Sequence, residues 1–503
     1  MATSLTTGRP WRVILMFTVP LMIGNVVQQM YQFADTVVVG RLLGVEALAS
    51  VGATGSLLFL LLGFAWGLTS GFAIPTAQAY GARDYDAVRR SVASGAILSA
   101  ITTVILTIGA PLLAEPALVL LQTPPELLAE ATVFAQISFL GAGALMFFNF
   151  LSAIIRAIGD SRTPLVFLVV SCALNVVLVI VAIAWLGLGV AGAALATVVA
   201  QATSVILCLT FVRRRIPELH LHRADWRVTR ADIVEHLRLG LPMGFQASII
   251  AIGALIVQVR LNSLGADAVA AYTAASRVDG LAVALLQSMS LAVSMYVAQN
   301  YGAGRPDRIR RGVVQATWMA LTGAVVLGVV MITFGAPLVR VFIGDGADGV
   351  VDAAHAMLVI NGVSYTALGV LFVTRGALQG LGSTVIPTVT GLIELVMRGA
   401  AAIVLGAVMG FVGVAWSNPL AWVGAAVILI PAYLRAHRAL ASMPSAPMEV
   451  TPTTPIPVVG PVEGSMNVEA IVTQPVTLPQ VTSRMRRALR PRRRARQRVD
   501  RKR

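Results

Sequence analysis

The sequence predicts an all-α protein that crosses a membrane many times. Hydrophobic residues make up 57% of its 503 positions and charged residues only 12%, and the mean hydropathy is +0.81. Soluble domains have far more charge and less apolar character. Apolar runs long enough for a helix to cross about 30 Å of hydrocarbon also recur along the whole chain. These observations together favour a polytopic membrane protein.

The apolar runs number twelve. The first carries Asp35 and is too long for the core of a signal peptide, so we expect it to remain in the mature protein. Six helices per half is an even number, so both halves enter the membrane in the same direction as parallel repeats around a central cavity. The runs lie near residues 13–40, 46–74, 92–114, 127–155, 164–185, 190–212, 240–264, 268–298, 313–342, 353–380, 387–408 and 412–436.

The predicted organisation has four parts. An amino-terminal six-helix lobe occupies residues 1–212, and a polar cytoplasmic linker at 213–239 joins it to a carboxy-terminal six-helix lobe at 240–440. Residues 441–503 form a tail that is rich first in proline and then in arginine. Such composition predicts disorder.

Two halves of the sequence share a repeat, with one informative exception. Asp35 has Ile256 at the same offset of 221 residues, so one half places an acid inside an apolar helix and the other does not. Because the scaffold is repeated and the acid is not, Asp35 is the first functional candidate. The repeated residues are Leu43-Gly44, Gln78 and Gly81-Ala82, which return as Leu264-Gly265, Gln299 and Gly302-Ala303.

The charge pattern predicts orientation rather than nucleic-acid binding. Of the net +15, +11 lies between Arg484 and Arg503, where it is expected to contact anionic lipid or to enforce cytoplasmic retention. Arginines otherwise cluster in alternate connections, which places both termini and these connections in the cytoplasm. The clusters are Arg83/Arg89/Arg90, Arg156/Arg162, Arg213–Arg215, Arg305/Arg308/Arg310/Arg311 and Arg435/Arg438.

Several long segments resemble one transporter family. The segment from Gln32 to Arg41, Gly81–Asp84, Arg156–Pro164 and Gln299–Ala303 are similar, in the same order, to segments of the multidrug and toxic compound extrusion (MATE) transporters. The resemblance spans about residues 10–438, and Glu394–Arg398 with Asn418–Trp422 suggests the bacterial branch of DNA-damage-inducible protein F. It implies a monomeric antiporter, not an enzyme, that exports amphipathic and often cationic compounds by alternating access.

The resemblance also implies a coupling site. Asn175 and Thr197 align with positions that form the family's amino-terminal cation site together with the first-helix acid, here Asp35. Many relatives carry a second acid where this chain has Val179, and losing that carboxylate weakens a site for a hard cation. We therefore expect H⁺ as the coupling ion, with Na⁺ as the alternative, and no cofactor.

Other family positions lead to further expectations. The acids that another branch carries in its second half fall here on Ile250 and Leu368, so no coupling site is expected in that lobe. Pro20 interrupts the first helix and is either a hinge or plain architecture. Glu394 and Arg398 are four residues apart on one helix, which predicts a structural ion pair.

Polar and soft apolar residues are candidates for the substrate cavity. Asn25, Gln28, Gln32 and Asp35 share one face of the first helix. For the three amides, hydrogen bonds between helices are the favoured interpretation and substrate contact the alternative. Met, Phe and Tyr adapt to apolar and cationic ligands. The complete set of cavity candidates is Gln28, Gln32, Tyr31, Met30, Met146, Phe147, Met289 and Tyr296.

Two other functions remain as alternatives. A flippase for lipid-linked oligosaccharide or peptidoglycan precursors would need cavity arginines for a pyrophosphate headgroup, and Arg277, Arg375 and Arg398 are the candidates. A membrane scaffold that does not transport would leave Asp35 dispensable. Nucleotide-driven or hydrolytic chemistry is poorly supported, because the sequence has no Walker A, HExxH or serine-elbow motif.

Overall fold

The computed structural model describes residues 4–121, 123–343 and 347–444, and the regular structure of these residues is entirely helical. A π-helical turn at Val181–Trp185 extends the sixth helix, and a 3₁₀ turn lies at Pro217–Leu219. The helices are α1 (Pro10–Leu43), α2 (Val45–Gly81), α3 (Tyr85–Leu120), α4 (Pro125–Leu140), α5 (Ala142–Ala157), α6 (Arg162–Ile180), α7 (Gly189–Arg215), α8 (Arg230–Asn262), α9 (Ala266–Gly302), α10 (Pro306–Ile343), α11 (Asp348–Gly380), α12 (Val385–Met409), α13 (Phe411–Ala415) and α14 (Ser417–Ala441).

These helices provide eleven candidate membrane spans among the described residues, or the predicted twelve when one bent pair of helices is taken as a single span. Eleven segments of the described chain are long and apolar enough to cross the bilayer alone. The twelfth span is the pair α4 and α5, which meet at 45° on either side of Gly141. A Cβ atom at Gly141 would lie 2.1 Å from Cγ2 of Val198, so the glycine lets the bend pack against α7. The predicted all-α membrane fold is confirmed.

The sequence repeat appears again in the backbone of the turns. Gly44 before α2 and Gly265 before α9 have φ values of 89° and 103°. Arg83 and Gly304, also 221 residues apart, have φ values of 57° and 64° in the turns that follow these two helices. Only glycine reaches this left-handed region without steric cost. Equivalent positions of the two halves therefore make equivalent turns.

The connection between the halves folds back onto α3. Thr229 caps α8, and its side chain and that of Asp232 form a capping box, so α8 begins at Arg230 within the predicted linker. Ahead of the helix, Asp225 lies 3.4 Å from Nε of Arg89 on α3. The lobe limits at 212 and 240 remain a prediction. From residue 445 onward the predicted tail lies outside the described residues.

Close glycine contacts join the two halves in the membrane. A Cβ atom at Gly67 would lie 2.3 Å from the carbonyl oxygen of Met243, and one at Gly71 would lie 2.5 Å from Cα of Gly240. Helices α2 and α8 can approach this closely only because their contact positions lack side chains.

The halves also meet at the end that carries the arginine connections. Gln78 at the end of α2 donates a hydrogen bond to the carbonyl of Gly380, and Gln299 at the end of α9 donates one to the carbonyl of Ala157. The backbone N–H of Leu5 in turn donates to Oε1 of Gln299. This end of the helix bundle is therefore closed.

Helices α1 and α9 also join the two halves within the membrane. Asn25 on α1 donates hydrogen bonds to the carbonyl of Ala284 and to Oγ of Ser288 on α9. Further toward the opposite end, the same sides of the two helices become exposed at Gln32 on α1 and at Arg277 on α9. The predicted central cavity, and the end at which it opens, remain predictions.

Candidate functional site

Two of the predicted cation-site residues, Asn175 and Thr197, are hydrogen-bonded to each other inside the first half. Thr197 on α7 is at the centre, where its Oγ1 accepts hydrogen bonds from Nδ2 of Asn175 at 3.1 Å and from the hydroxyl of Tyr31 at 3.3 Å. The Thr197 hydroxyl also lies 3.1 Å from the carbonyl of Ala193, to which it donates. Tyr31, predicted as a cavity residue, thus belongs to this polar group. Asp35 follows Tyr31 by one turn of α1 and points to a similar side.

Two oxygen atoms of this polar group have no hydrogen-bond partner. They are Oδ1 of Asp35 and Oδ1 of Asn175, and both are buried. A buried acceptor without a donor costs free energy, and native structures contain few of them. A proton on Asp35, or a small cation bound at either oxygen, would satisfy the acceptor to which it binds. The oxygen atoms of this polar group therefore suit a site that takes up a proton or a small cation.

Val179 limits which cation this site suits. Its side chain is 1% exposed and packs in an apolar cluster with Val39 and Ile183. The position that carries an acid in many relatives is therefore part of the hydrophobic core. Among the described residues, Asp35 therefore supplies the single carboxylate of this polar group. Only one negative charge is available to a bound cation.

The remaining polar residues of α1 divide between two roles. The Asn25 side chain donates hydrogen bonds to α9, which confirms the interpretation of this amide as a contact between helices. Gln28 is half-buried and Gln32 is exposed, so their substrate role remains a prediction. Pro20 is buried within a helix that continues from Pro10 to Leu43. Its role as a hinge also remains a prediction.

Three of the predicted cavity residues are placed in the core instead, so these predictions are wrong. Met146 and Tyr296 are 0% exposed and Met289 is 8% exposed. The Tyr296 ring packs on Gly312 and its hydroxyl donates to the carbonyl of Arg308. Large side chains on the inward faces of these helices fill the interior. Met30 is 61% exposed and Phe147 is half-buried, and both remain candidates.

The prediction that Glu394 pairs with Arg398 is wrong, because Glu394 has a different partner. Glu394 on α12 pairs with Arg375 of α11, and both side chains are nearly buried. Pairing across two helices desolvates both charges, whereas a pair on one helix surface would leave them exposed. Arg398 is half-buried instead, with Nη1 3.3 Å from the position of a Cβ atom on Gly253 of α8.

A second acid inside the membrane helices, Asp279 on α9, is not among the predicted site residues. It is 7% exposed, and its Oδ1 accepts hydrogen bonds from the hydroxyl of Tyr365 at 2.6 Å and from Nδ2 of Asn361 at 3.0 Å. The four-residue spacing of Asn361 and Tyr365 on α11 was the available signal. Asp279 has strong donors, in contrast to Asp35. The expected lack of a coupling site in this half remains a prediction.

Comparison with known proteins agrees with this architecture. The MatE family matches residues 20–181 and 242–408, which is more than half of the chain. Probable multidrug resistance protein YoeA of Bacillus subtilis is 28% identical over 392 residues, covering 76% of this chain and 84% of the relative. Multidrug export protein MepA of Staphylococcus saprophyticus is 24% identical, covering 80% and 88%.

Solved structures show the same fold. An outward-facing conformation of a multidrug resistance MATE family transporter has a TM-score of 0.81 at 24% identity, covering 88% of this chain and 99% of that one. A MATE structure in complex with MaL6 also has a TM-score of 0.81 at 24% identity, covering 87% and 98%. Family match, curated relatives and fold agree, and the chain belongs to the MatE family of multidrug efflux transporters.

Proposed function

We propose that this protein exports amphipathic, often cationic, compounds across the bacterial inner membrane in exchange for H⁺, and that Asp35 carries the proton. The observation behind this proposal is the contrast between the buried carboxyl oxygens of two acids inside membrane helices. Oδ1 of Asp35 has no donor, whereas Oδ1 of Asp279 has two. A carboxylate without fixed donors gains most from taking up a proton.

The position of Asp35 suits an exchange between proton and substrate. At 100° per residue, Asp35 points about 80° away from Asn25, which faces the other half, and about 40° from Tyr31, which faces α7. Asp35 therefore lies at the edge of the cavity, between the polar group and the inter-lobe space. When it is ionised it attracts a cationic substrate, and when it is protonated that attraction is lost.

Proton coupling is favoured over sodium coupling by the composition of the polar group. Sodium is a hard cation that prefers several oxygen ligands, including carboxylates. Asp35, Asn175 and Thr197 supply three side chains with oxygen atoms, and Val179 supplies none. Protonation of Asp35 requires no further ligand.

The proposed orientation puts the closed end in the cytoplasm. The arginine connections lie at that end, and the positive-inside rule places such connections on the cytoplasmic side. Gln78 and Gln299 then close the cytoplasmic entrance, and the cavity faces outward. The backbone of Leu5 is hydrogen-bonded to Gln299 at the same closed end, so the amino-terminal residues around Leu5 are cytoplasmic as well.

A lipid-precursor flippase is less well supported. A pyrophosphate headgroup would require several cavity arginines. Of the three candidates, Arg375 is engaged with Glu394 and Arg398 lies half-buried between α12 and α8, so Arg277 is the one that remains exposed. The relatives YoeA and MepA are named as multidrug resistance and export proteins. Drug export is therefore the better proposal.

Transport in proteoliposomes tests the proposal. Efflux of a fluorescent amphipathic cation is measured under separately imposed H⁺ and Na⁺ gradients for the wild type, Asp35→Asn and the matched control Asp279→Asn. Proton-driven efflux that Asp35→Asn abolishes and Asp279→Asn retains is the expected result. Drive by sodium alone would overturn proton coupling, and unchanged transport by Asp35→Asn would overturn the role of Asp35.

A further inference from the structure

We infer that a groove between α8 and α12 binds one anionic phospholipid of the surrounding bilayer, with Arg260 holding the phosphate and apolar side chains holding the start of an acyl chain. The groove is a cavity of about 320 Å³ at the end of the bundle opposite the arginine connections. Its lining consists of Ile256, Val259, Arg260 and Ser263 of α8 and Ile403 of α12, and we name it the α8–α12 groove. It is a separate site from the polar group around Asp35.

The α8–α12 groove faces away from the first half of the protein. A Cβ atom at Gly63 of α2 would lie 3.6 Å from Cβ of Ala247, so Ala247 marks the side of α8 that faces the first half. Ile256 lies nine residues beyond Ala247 and points about 180° away from it, and Arg260 points about 140° away. The groove is therefore not part of the space between the two halves.

The surface around the α8–α12 groove is apolar along both helices. Exposed apolar side chains recur every seven residues on α8 and on α12, so each set lies along one side of its helix. These side chains are Phe245, Ile252 and Val259 on α8 and Val389, Val396 and Ile403 on α12. An extended exposed apolar face on a membrane span is a surface for lipid. The groove is therefore reached from the bilayer.

Arg260 lies at the depth of the phospholipid headgroups. Helix α8 has 33 residues, which is about 50 Å and exceeds the roughly 30 Å of bilayer hydrocarbon. Arg260 is two residues before Asn262, where α8 ends. Ile256 and Ile403 each lie six residues, about 9 Å, before the ends of their helices. The groove thus places a cation beside the headgroups and apolar side chains beside the acyl chains.

The guanidinium of Arg260 is held in place but has no acidic partner. Its Nη1 donates a hydrogen bond to Oγ of Ser263 at 2.9 Å, and this hydroxyl donates to the carbonyl of Arg260 at 2.7 Å. Nε of Arg260 is buried without a hydrogen-bond partner. A Cβ atom at Gly406 would lie 3.1 Å from this Nε, so the glycine leaves room for the arginine against α12. Among the described residues Arg260 forms no ion pair, and its charge is available to an anion.

The position of Arg260 also runs against the charge pattern of the chain. Most arginines cluster at the opposite end of the bundle, as the positive-inside rule requires of cytoplasmic connections. Arg340 near the end of α10 is another exception, and it pairs with Asp348 at the start of α11. Arg260 has no such partner. A bound anion would supply the missing counter-charge.

An anionic phospholipid fits the α8–α12 groove better than other anions. A guanidinium matches two oxygen atoms of a phosphate in a bidentate pair, and the apolar lining suits an acyl chain. The lining contains no acid, so the ammonium group of a zwitterionic lipid would find no counter-charge there. Ligand pockets range over roughly 300–1,000 Å³, and this cavity is at the lower limit. It therefore suits a headgroup and the start of one chain.

Photolabelling in proteoliposomes tests this inference at the site itself. Phosphatidylglycerol or phosphatidylcholine with a diazirine near the top of one acyl chain is mixed with unlabelled lipid, and the labelled peptides of the irradiated full-length protein are identified by mass spectrometry. The variants are Arg260→Gln and Arg260→Lys. The matched control is Arg41→Gln, because Arg41 is exposed and lies two residues before the end of α1, as Arg260 does on α8.

The expected result is that phosphatidylglycerol labels residues 256–263 and the vicinity of Ile403 several-fold more than phosphatidylcholine does. Arg260→Gln should reduce this labelling about tenfold, because a charged bidentate contact is lost. Arg260→Lys should retain part of the labelling, and Arg41→Gln should behave as wild type. Labelling around Val389, at the other end of the stripe on α12, is the internal reference, and thermal unfolding establishes that each variant is folded.

Three outcomes would overturn the inference. Equal labelling of the α8–α12 groove by the two lipids in the wild type would show that the headgroup is not recognised. Labelling by phosphatidylglycerol that Arg260→Gln retains would remove the role of the arginine. Displacement of phosphatidylglycerol by millimolar inorganic phosphate would show that the groove takes free phosphate rather than lipid. The readout does not involve transport, so each result is independent of the proposed export function.

Discussion

Gln78 and Gln299 lie 221 residues apart and make the same hydrogen bond in opposite directions across the boundary between the two halves. Nε2 of Gln78 donates to the carbonyl of Gly380 at 3.0 Å, and Nε2 of Gln299 donates to the carbonyl of Ala157 at 2.7 Å. The two acceptors are also equivalent by the repeat, to within two residues. The repeated glutamines therefore form a symmetric latch at the closed end.

Removing this latch should open the closed end. Each hydrogen bond contributes about 1 kcal/mol, so Gln78→Ala and Gln299→Ala should each shift the equilibrium toward the open form about fivefold. Distances between spin labels on the α2–α3 and α9–α10 turns report the change. The double variant should show a larger population of long distances than either single variant. An unchanged distribution would contradict the role of the latch.

Two glycines next to the latch permit the close approach of the helix ends. A Cβ atom at Gly81 would lie 1.9 Å from the carbonyl oxygen of Gln299, and one at Gly302 would lie 1.8 Å from that of Gln78. Gly81→Ala should therefore destabilise the closed end by about 1–3 kcal/mol through overpacking. Spin-label distances and thermal unfolding measure the effect.

Gly52→Ala is the control for the glycine prediction. Gly52 lies within α2, and no heavy atom lies within 4 Å of a Cβ atom built on it. Alanine there should leave the label distances unchanged and raise helix stability by up to about 1 kcal/mol. If Gly81→Ala behaved like Gly52→Ala, the close approach of the two ends would not limit closure.

A double-mutant cycle tests the corrected partner of Glu394. Glu394→Gln leaves the buried Arg375 without its counter-charge. This change should lower the free energy of unfolding by about 3–5 kcal/mol. Replacing Glu394 and Arg375 together by apolar residues should cost less than the two single losses added. The equivalent cycle between Glu394 and Arg398 should give a coupling energy near zero. Strong coupling to Arg398 instead would contradict the observed pairing.

The connection before α8 should contribute a pH-dependent term to stability. A hydrogen bond from the backbone N–H of His222 lowers the pKa of Asp225 below its ordinary value, burial opposes this, and the Arg89 guanidinium adds to the lowering. An acid whose folded-state pKa is lowered stabilises the protein above its unfolded pKa, about 3.9, and loses that contribution as pH falls through the folded value.

Asp225→Asn should therefore lower the unfolding temperature at pH 5 and at pH 7. The difference from wild type should shrink as the pH falls below about 4, because the wild-type carboxylate is then protonated as well. Unfolding temperatures of both proteins across this range provide the measurement. A difference that grew toward acid would show that Asp225 does not stabilise the fold as an ion.

The features predictable from sequence are those that the bilayer imposes. Apolar length alone identifies the twelve spans, and repeated glycines such as Gly44 and Gly265 mark equivalent turns. Asp35 stands out because an acid inside an apolar helix requires an explanation. Asn175 and Thr197 are ordinary residues by composition, and only the family resemblance pointed to them.

Contacts between distant helices were not predictable from spacing. Glu394 had a nearby basic residue in sequence, but its actual partner Arg375 is reached through the packing of α11 on α12. Tyr296 was assigned to the cavity by residue type, although Gly312 makes a buried pocket for its ring. Gln78 and Gln299 were recognised as repeated, but their shared role depends on how the two halves meet.

The most direct test of the account is the proton movement that accompanies substrate binding. Purified wild type, Asp35→Asn and Asp279→Asn are mixed with a substrate cation in weakly buffered solution containing a pH indicator. We expect proton release by the wild type and by Asp279→Asn, and none by Asp35→Asn. Proton release that Asp35→Asn retains while still binding the substrate would contradict the claim that Asp35 exchanges its proton for the exported compound.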